Sequence, residues 1–185
     1  MIADVEKETQ EKMQQAVDHA REDLSTIRTG RAHPAMFNRL NADYYGAPTP
    51  LQQLATFTST DPRTMLITPF DRSAIAAIEK CIREADLGVN PSNDGNSIRV
   101  VMPQLTEERR KEYIKLAKAK AEDARIAVRN IRRHAIDAFK RLEKDSEISE
   151  DELARAEKAM ESTTKKFVEA VDDLLKHKEA ELTEI

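Results

Sequence analysis

The stretch that decides the fold is EERRKEYIKLAKAKAEDARIAVRNIRRHAIDAFKRLEKD, residues 107–145, which holds no Gly or Pro from end to end. Tyr113, Ala117, Ala124, Val128, Ile131, Ala135, Ala138 and Leu142 make a seam along it in steps of three, four and seven residues. That spacing predicts one long helix. Thr106 is placed as its N-cap, and Glu107 and Glu108 suit the positive end of the helix dipole. A helix this long owes its stability mainly to packing, so the rest of the chain must supply partners for the seam.

Two partners are legible. Residues 2–28 carry Ile2, Val5, Met13, Ala16, Ala20, Leu24 and Ile27 on one face, with Thr9 filling the gap. Thr29 and Gly30 are expected to end this helix, and Pro34 forbids its immediate resumption. Residues 150–182 form the third helix. Ser149 with Glu152 makes a capping box, and Ile148 with Leu153 a hydrophobic staple. Its seam runs through Leu153, Ala156, Met160, Phe167, Val171, Leu174 and Leu182. The short link between the second and third helices makes them a helical hairpin. Three such helices argue for an antiparallel-type bundle.

Residues 31–104 have another composition. They hold Phe37, Tyr44, Tyr45, Phe57 and Phe70, five of the eight aromatic residues in the chain. Strand signals appear in MFNRLNADYYG, in LQQLATFTS and in TMLIT, with a turn expected at residues 46–50. SAIAAIEKCIREA predicts a short amphipathic helix through Ile75, Ile78, Ile82 and Ala85, with Asp71 as the candidate cap. GVNPSNDGNSIRVVMP predicts strand, turn, strand, with Asn-Asp-Gly at the tip. The expected fold class is therefore α+β in two domains. Residues 1–30 and 105–185 build an elongated three-helix bundle, and residues 31–104 insert a small α/β domain, a β/α/β sandwich. Two short crossings join them, Thr29, Gly30 and Arg31 outward and Pro103, Gln104 and Leu105 back. A double crossing restricts relative motion to bending or twisting at a hinge. Gly30 supplies backbone freedom and Pro103 stiffness.

Charge is distributed unevenly. The chain carries 30 basic and 34 acidic residues, a formal net charge of -4. Residues 105–145 are net positive, while residues 1–30 and 146–185 are net negative. Lys111, Lys118, Arg125 and Arg132 recur every seven residues, and Arg129 lies one turn beyond Arg125. Seven residues of α-helix drift by only about 20°, so these cations are expected to form one outward-facing ridge. From Lys111 to Arg132 the ridge spans about 32 Å. Guanidinium groups in a row suit phosphate, which they bind bidentately. No aromatic interleaves the ridge, which argues for backbone contact rather than base stacking. Three readings stay open on charge alone: nucleic-acid contact, a solvated face, or an acidic protein partner held by a helical adaptor or chaperone.

The sequence offers little to an enzyme. It has no G-x-x-x-x-G-K-[ST], no H-E-x-x-H and no G-x-S-x-G. His19, His33, His134 and His177 stand far apart, and a His19–His134 pair is a poor metal site. NPSNDGNSIRVV lacks the closing Glu of a calcium loop, with Val101 in that place, and reads as a turn. Cys81 is the one cysteine, and with Met13 and Met160 it reads as packing. No catalytic residue, metal or cofactor is expected. The lone cysteine, a charged N-terminus and the lack of a long apolar run set the expectation of a cytoplasmic protein, free of membrane.

Five segments carry a resemblance to a known family. RTGRAHPA (28–35), GNSIRVVMPQLTEERRKE (95–112), VRNIRRHA (128–135), ISEDE (148–152) and KEAELTEI (178–185) are similar to the bacterial ribosome recycling factors, end to end. The resemblance implies an L-shaped monomer, similar in outline to transfer RNA, that binds the large ribosomal subunit after termination. Elongation factor G then acts on the small domain, and GTP hydrolysis by that partner accompanies subunit splitting. It also implies that Arg110, Arg129 and Arg132 are linked to ribosomal RNA binding, with Arg133 beside them, and that the segments at Gly30 and Gln104 are the hinge. The family's usual Asp after the paired arginines is His134 here, and its common Asn is Ile136. Loss of that carboxylate would leave Arg132 and Arg133 freer for phosphate.

Overall fold

The structure is a computed structural model that describes residues 1–183; the last two residues of the KEAELTEI segment lie outside the described residues. In chain order the elements are α1 (Ile2–Ser25), β1 (Asn41–Tyr44), β2 (Ala47–Pro50), α2 (Leu51–Leu54), β3 (Ala55–Asp61), β4 (Thr64–Pro69), α3 (Ile75–Glu84), β5 (Ser92–Asn93), β6 (Ile98–Val101), α4 (Glu107–Lys144) and α5 (Glu150–Thr183). Short 3-10 turns occupy Pro34–Phe37 and Arg72–Ala74. The described residues divide into two compact units, 1–28 with 107–183, and 29–106.

The first unit is the bundle of α1, α4 and α5. Its core joins Met13, Val17 and Ala20 of α1 to Ala121, Val128, Ala135 and Phe139 of α4 and Met160, Phe167 and Val171 of α5. Val17, Ala121 and Phe139 lie outside the expected seams, yet Phe139 is 0% exposed. Tyr113, Ile131, Ala138 and Leu142, expected on the seam, are half-buried instead. The reason is geometric. A helix packed against two others needs an apolar stripe wider than one heptad line, and the stripe follows the 3.6-residue period. Small residues on α4 (Ala117, Ala121, Ala124, Ala135) are buried along the same face.

Helix ends are set by side chains. α1 stops at Ser25, earlier than the expected Arg28, because the Ser25 and Thr26 hydroxyls donate back to the carbonyls of Glu22 and Asp23 at 2.5 and 2.7 Å. Gly30, with φ of 76°, lies beyond that end and does not cap it. Between α4 and α5 the chain turns through Ser146 at φ 58°. The capping box forms as expected: Glu152 N–H donates to Ser149 Oγ at 3.1 Å, and Ser149 N–H to Glu152 Oε1 at 3.2 Å.

In the second unit, β1 and β2 pair antiparallel around Tyr45 and Gly46, whose φ angles are 50° and 80°. Two positive φ values in a row make a two-residue hairpin turn. Pairing therefore resumes at Ala47, inside the segment where a turn was expected. Leu51–Leu54 is a single helical turn rather than a strand, since it buries Leu51 and Leu54, three residues apart. The remaining strands form an antiparallel sheet in the order β3-β4-β6-β5. Ile75, Ile78 and Ile82 on one face of α3 share a core with Phe37, Met65, Ile67, Ile98 and Val100. The Asn-Asp-Gly tip is closed by Asp94, whose Oδ1 accepts from the N–H groups of Asn96 and Ser97, both at 2.9 Å. Both ends of the unit are tied to the β3–β4 turn. Ala32 N–H donates to Pro62 O at 2.9 Å. Met102 N–H donates to Arg63 O at 2.7 Å, and Arg63 Nε and Nη2 donate back to Met102 O at 3.1 and 3.0 Å.

Candidate nucleic-acid interface

α4 carries the cations, and the bundle decides which of them reach solvent. A seven-residue repeat on a straight helix drifts by about 20° per step, so three steps from Lys111 to Arg132 turn the line through about 60°. The ridge therefore winds from the exposed side toward α5. Lys111 is exposed and pairs along its own helix with Glu107 at 3.3 Å. Lys118 is exposed. Arg125, next on the line, does not face out: its side chain is 19% exposed, its Nε donates to Asp172 Oδ1 of α5 at 2.7 Å, and its Nη1 to Glu122 Oε2 at 2.9 Å. Burial works against the charged guanidinium, but these two carboxylates outweigh it and raise its pKa above the usual arginine value. The expectation of an outward-facing Arg125 is corrected by that geometry.

Arg132 lies further round, half-buried, in an open groove of about 430 Å³ between α4 and α5. Arg133 and Lys140 line the groove with it, opposite Glu157 and Glu161. Among the described residues neither Arg132 nor Lys118 forms an ion pair. Arg129 is half-exposed, and its Nη1 lies 3.6 Å from Glu122 Oε1. Arg133 is exposed, and its Nη1 donates to Asn130 Oδ1 at 3.3 Å. Arg110 sits half-buried in the first turns of α4. The structure thus brings Lys118, Arg129, Arg132 and Arg133 onto one side of α4, where guanidinium groups can meet phosphate oxygens.

Two members of the site were not read from sequence. Lys140 follows Arg133 by seven residues, the same step that links the ridge cations, so extending the search from Arg133 finds it. Glu122, an acidic residue among the cations, lies 2.9 Å from Arg125 Nη1 and 3.6 Å from Arg129 Nη1. Lys120, also outside the ridge, reaches α1, where its Nζ pairs with Asp23 Oδ1 at 2.8 Å. Part of the basic excess of α4 therefore serves the bundle itself.

The other residues singled out in the sequence fall elsewhere. The unit boundaries lie at residues 28/29 and 106/107, next to Thr29, Gly30 and Arg31 and close to Pro103, Gln104 and Leu105. Pro103 and Gln104 are exposed and outside any helix or strand. His134 lines a shallow cleft with Glu8 and Lys12. Among the described residues no group of three His, Cys, Asp or Glu side chains is placed to hold a metal ion. Cys81 donates to Asn41 O at 3.1 Å, and burial pushes its thiol pKa up. No helix among the described residues is long and apolar enough to cross a membrane.

Bundle, insert and cationic α4 define a class: a two-unit helical protein with one side of its longest helix suited to an extended anion. Comparison with known proteins narrows the class. The family model described as "Ribosome recycling factor" matches residues 20–183. The ribosome-recycling factor of Cutibacterium acnes is 61% identical over 184 residues, covering 100% of each chain. That of Streptomyces avermitilis is 60% identical over 185 residues, again covering 100% of both. A solution structure of the ribosome recycling factor superposes with a TM-score of 0.78 at 38% identity, over 100% of this chain and 98% of that one. A second neighbour, at TM-score 0.67 and 43% identity over 98% of each chain, is the T. thermophilus ribosome recycling factor, placed with E. coli elongation factor G on the E. coli post-termination complex. The chain belongs to the ribosome recycling factor family.

Proposed function

We propose that this protein recycles ribosomes: it joins the post-termination complex and, with elongation factor G, returns the subunits to a new round of translation. The observation that carries this reading is full-length identity of 61% to a ribosome-recycling factor, which spans both compact units rather than one. The bundle is the ribosome-binding part. Lys111, Lys118, Arg129, Arg132 and Arg133 meet the sugar-phosphate surface of large-subunit RNA, with Arg110 at the start of the same helix. Arg125 serves them from behind, as a brace to α5. The protein itself does no chemistry in this scheme; GTP hydrolysis belongs to elongation factor G. It works as a monomer in the cytoplasm, and the crossings at residues 29–31 and 103–105 act as the pivot through which the second unit passes on the partner's push.

The test is splitting of purified post-termination ribosomes, followed by light scattering, with and without elongation factor G and GTP. Splitting that requires all three components is the expected result. Splitting at the same rate without this protein would overturn the reading.

A further inference from the structure

A carboxylate in the middle of a phosphate-binding face calls for an explanation. Glu122 is such a group. Its side chain is 52% exposed and sits on the same side of α4 as Lys118 and Arg129. By Coulomb's law alone it should repel RNA. Its contacts suggest another use. Oε2 takes Nη1 of Arg125 at 2.9 Å, while Oε1 lies 3.6 Å from Nη1 of Arg129. Arg125 is itself pinned from α5 by Asp172 at 2.7 Å. The four groups alternate in sign along a line: Asp172, Arg125, Glu122, Arg129. The inner members are held from two sides, and Arg129 is the open end, facing solvent.

We propose that Glu122 is a positioning residue: anchored through Arg125 to Asp172, it holds the Arg129 guanidinium in the pose that meets an RNA phosphate. The inference rests on the RNA-binding reading of α4 and assigns a role to a residue of the opposite charge. A free arginine side chain samples many rotamers, and ordering it on binding costs entropy. A carboxylate on one edge of the guanidinium removes part of that cost beforehand. The opposite edge keeps its N–H donors for phosphate, since a guanidinium carries five in a fixed fork. At 3.6 Å the carboxylate biases the guanidinium toward that pose without tying up its N–H donors in a tight bond.

The sign of one substitution separates this from the alternatives. Glu122→Gln adds one unit of positive charge to the face. A bystander carboxylate would give tighter RNA binding on removal. A positioning carboxylate gives weaker binding in spite of the added charge. Binding of the full chain to purified large ribosomal subunits is measured by co-sedimentation at several salt concentrations, for the unaltered protein, Glu122→Gln, Arg129→Ala and the double variant. Thermal melts check that each is folded. Glu122→Gln is expected to weaken binding roughly three- to tenfold, and to have no weakening effect once Arg129 is alanine. Tighter binding by Glu122→Gln, or equal weakening in both backgrounds, would overturn the proposal. Should Arg129→Ala alone leave binding unchanged, the RNA-binding reading of Arg129 fails first, and the positioning role falls with it. Asp172→Asn gives a second handle from α5: it should weaken binding in the same direction, and no change would break the anchored chain at its root.

Discussion

Arg125 Nε meets Asp172 Oδ1 at 2.7 Å across the α4–α5 interface. A residue that sequence spacing places on an exposed ridge is thereby a rivet inside the bundle. The contact makes Arg125 a test of bundle stability, while the exposed Lys118 and Arg133, which lie outside it, test RNA binding with the bundle intact.

Arg125→Ala is expected to destabilise the bundle by about 1–2 kcal/mol, because it strips charge-assisted bonds from two carboxylates in a partly desolvated place. Lys118→Ala and Arg133→Ala should stay within about 0.5 kcal/mol of the unaltered protein, as exposed side chains do. Urea unfolding followed by circular dichroism measures both. Equal midpoints for all three variants would remove the rivet.

Arg132→Ala and Arg133→Ala should weaken large-subunit binding while leaving the melt unchanged. If each contacts one phosphate, each loss lowers the slope of log affinity against log salt by about one. Co-sedimentation across a salt series gives the slope. An unchanged slope in the double variant would place the phosphate contact elsewhere.

Phe139→Ala should cost about 3–5 kcal/mol, the usual effect of deleting a buried aromatic ring. Phe139 is 0% exposed and belongs to the core that the three helices of the bundle share. Loss of the cooperative transition, or a midpoint lowered by an amount of that order, is the expected outcome. A near-neutral melt would contradict the packing.

A pH test addresses the second unit. Tyr44 Oη donates to Asp71 Oδ2 at 2.7 Å. That hydrogen bond, then burial, pushes the Tyr44 pKa up to about 12. The same bond, joined by the Ser73 N–H, holds the Asp71 carboxyl below its usual range. The raised tyrosine contributes stability that is complete below about pH 10 and is lost as pH climbs through the folded value. The lowered carboxyl contributes stability that is complete above about pH 4 and is lost as pH falls through its folded value. Tyr44→Phe should therefore lower the melting temperature near neutrality and flatten its decline on both sides. A variant whose pH profile runs parallel to that of the unaltered protein would dismiss the pair.

Much of this was legible in residues alone, and the failures have physical causes. The bundle followed from three apolar seams and the Ser149–Glu152 capping box, because those signals are local. Phe139, Ala121 and Val17 were missed because a heptad line is narrower than the face a helix shows to two neighbours. The Leu51–Leu54 turn was missed because LQQLATFTS has no break between helix and strand, and only burial of both leucines decides. The ridge was half right. Its spacing was real, but drift accumulates, and where it turns Arg125 inward depends on where α5 lies. Glu122 could not be found by looking for cations at all.

The fastening of the inserted unit has a mechanical consequence. Its two necks, at Ala32 and Met102, grip the same pair of residues, Pro62 and Arg63. Tension arriving along either neck lands on one short clasp. β6, which feeds the outgoing neck, lies inside the sheet and pairs with β4 over four residue pairs. A tug along its axis loads those bonds in shear, together rather than one after another. The lobe can be hauled by its collar without its strands peeling apart.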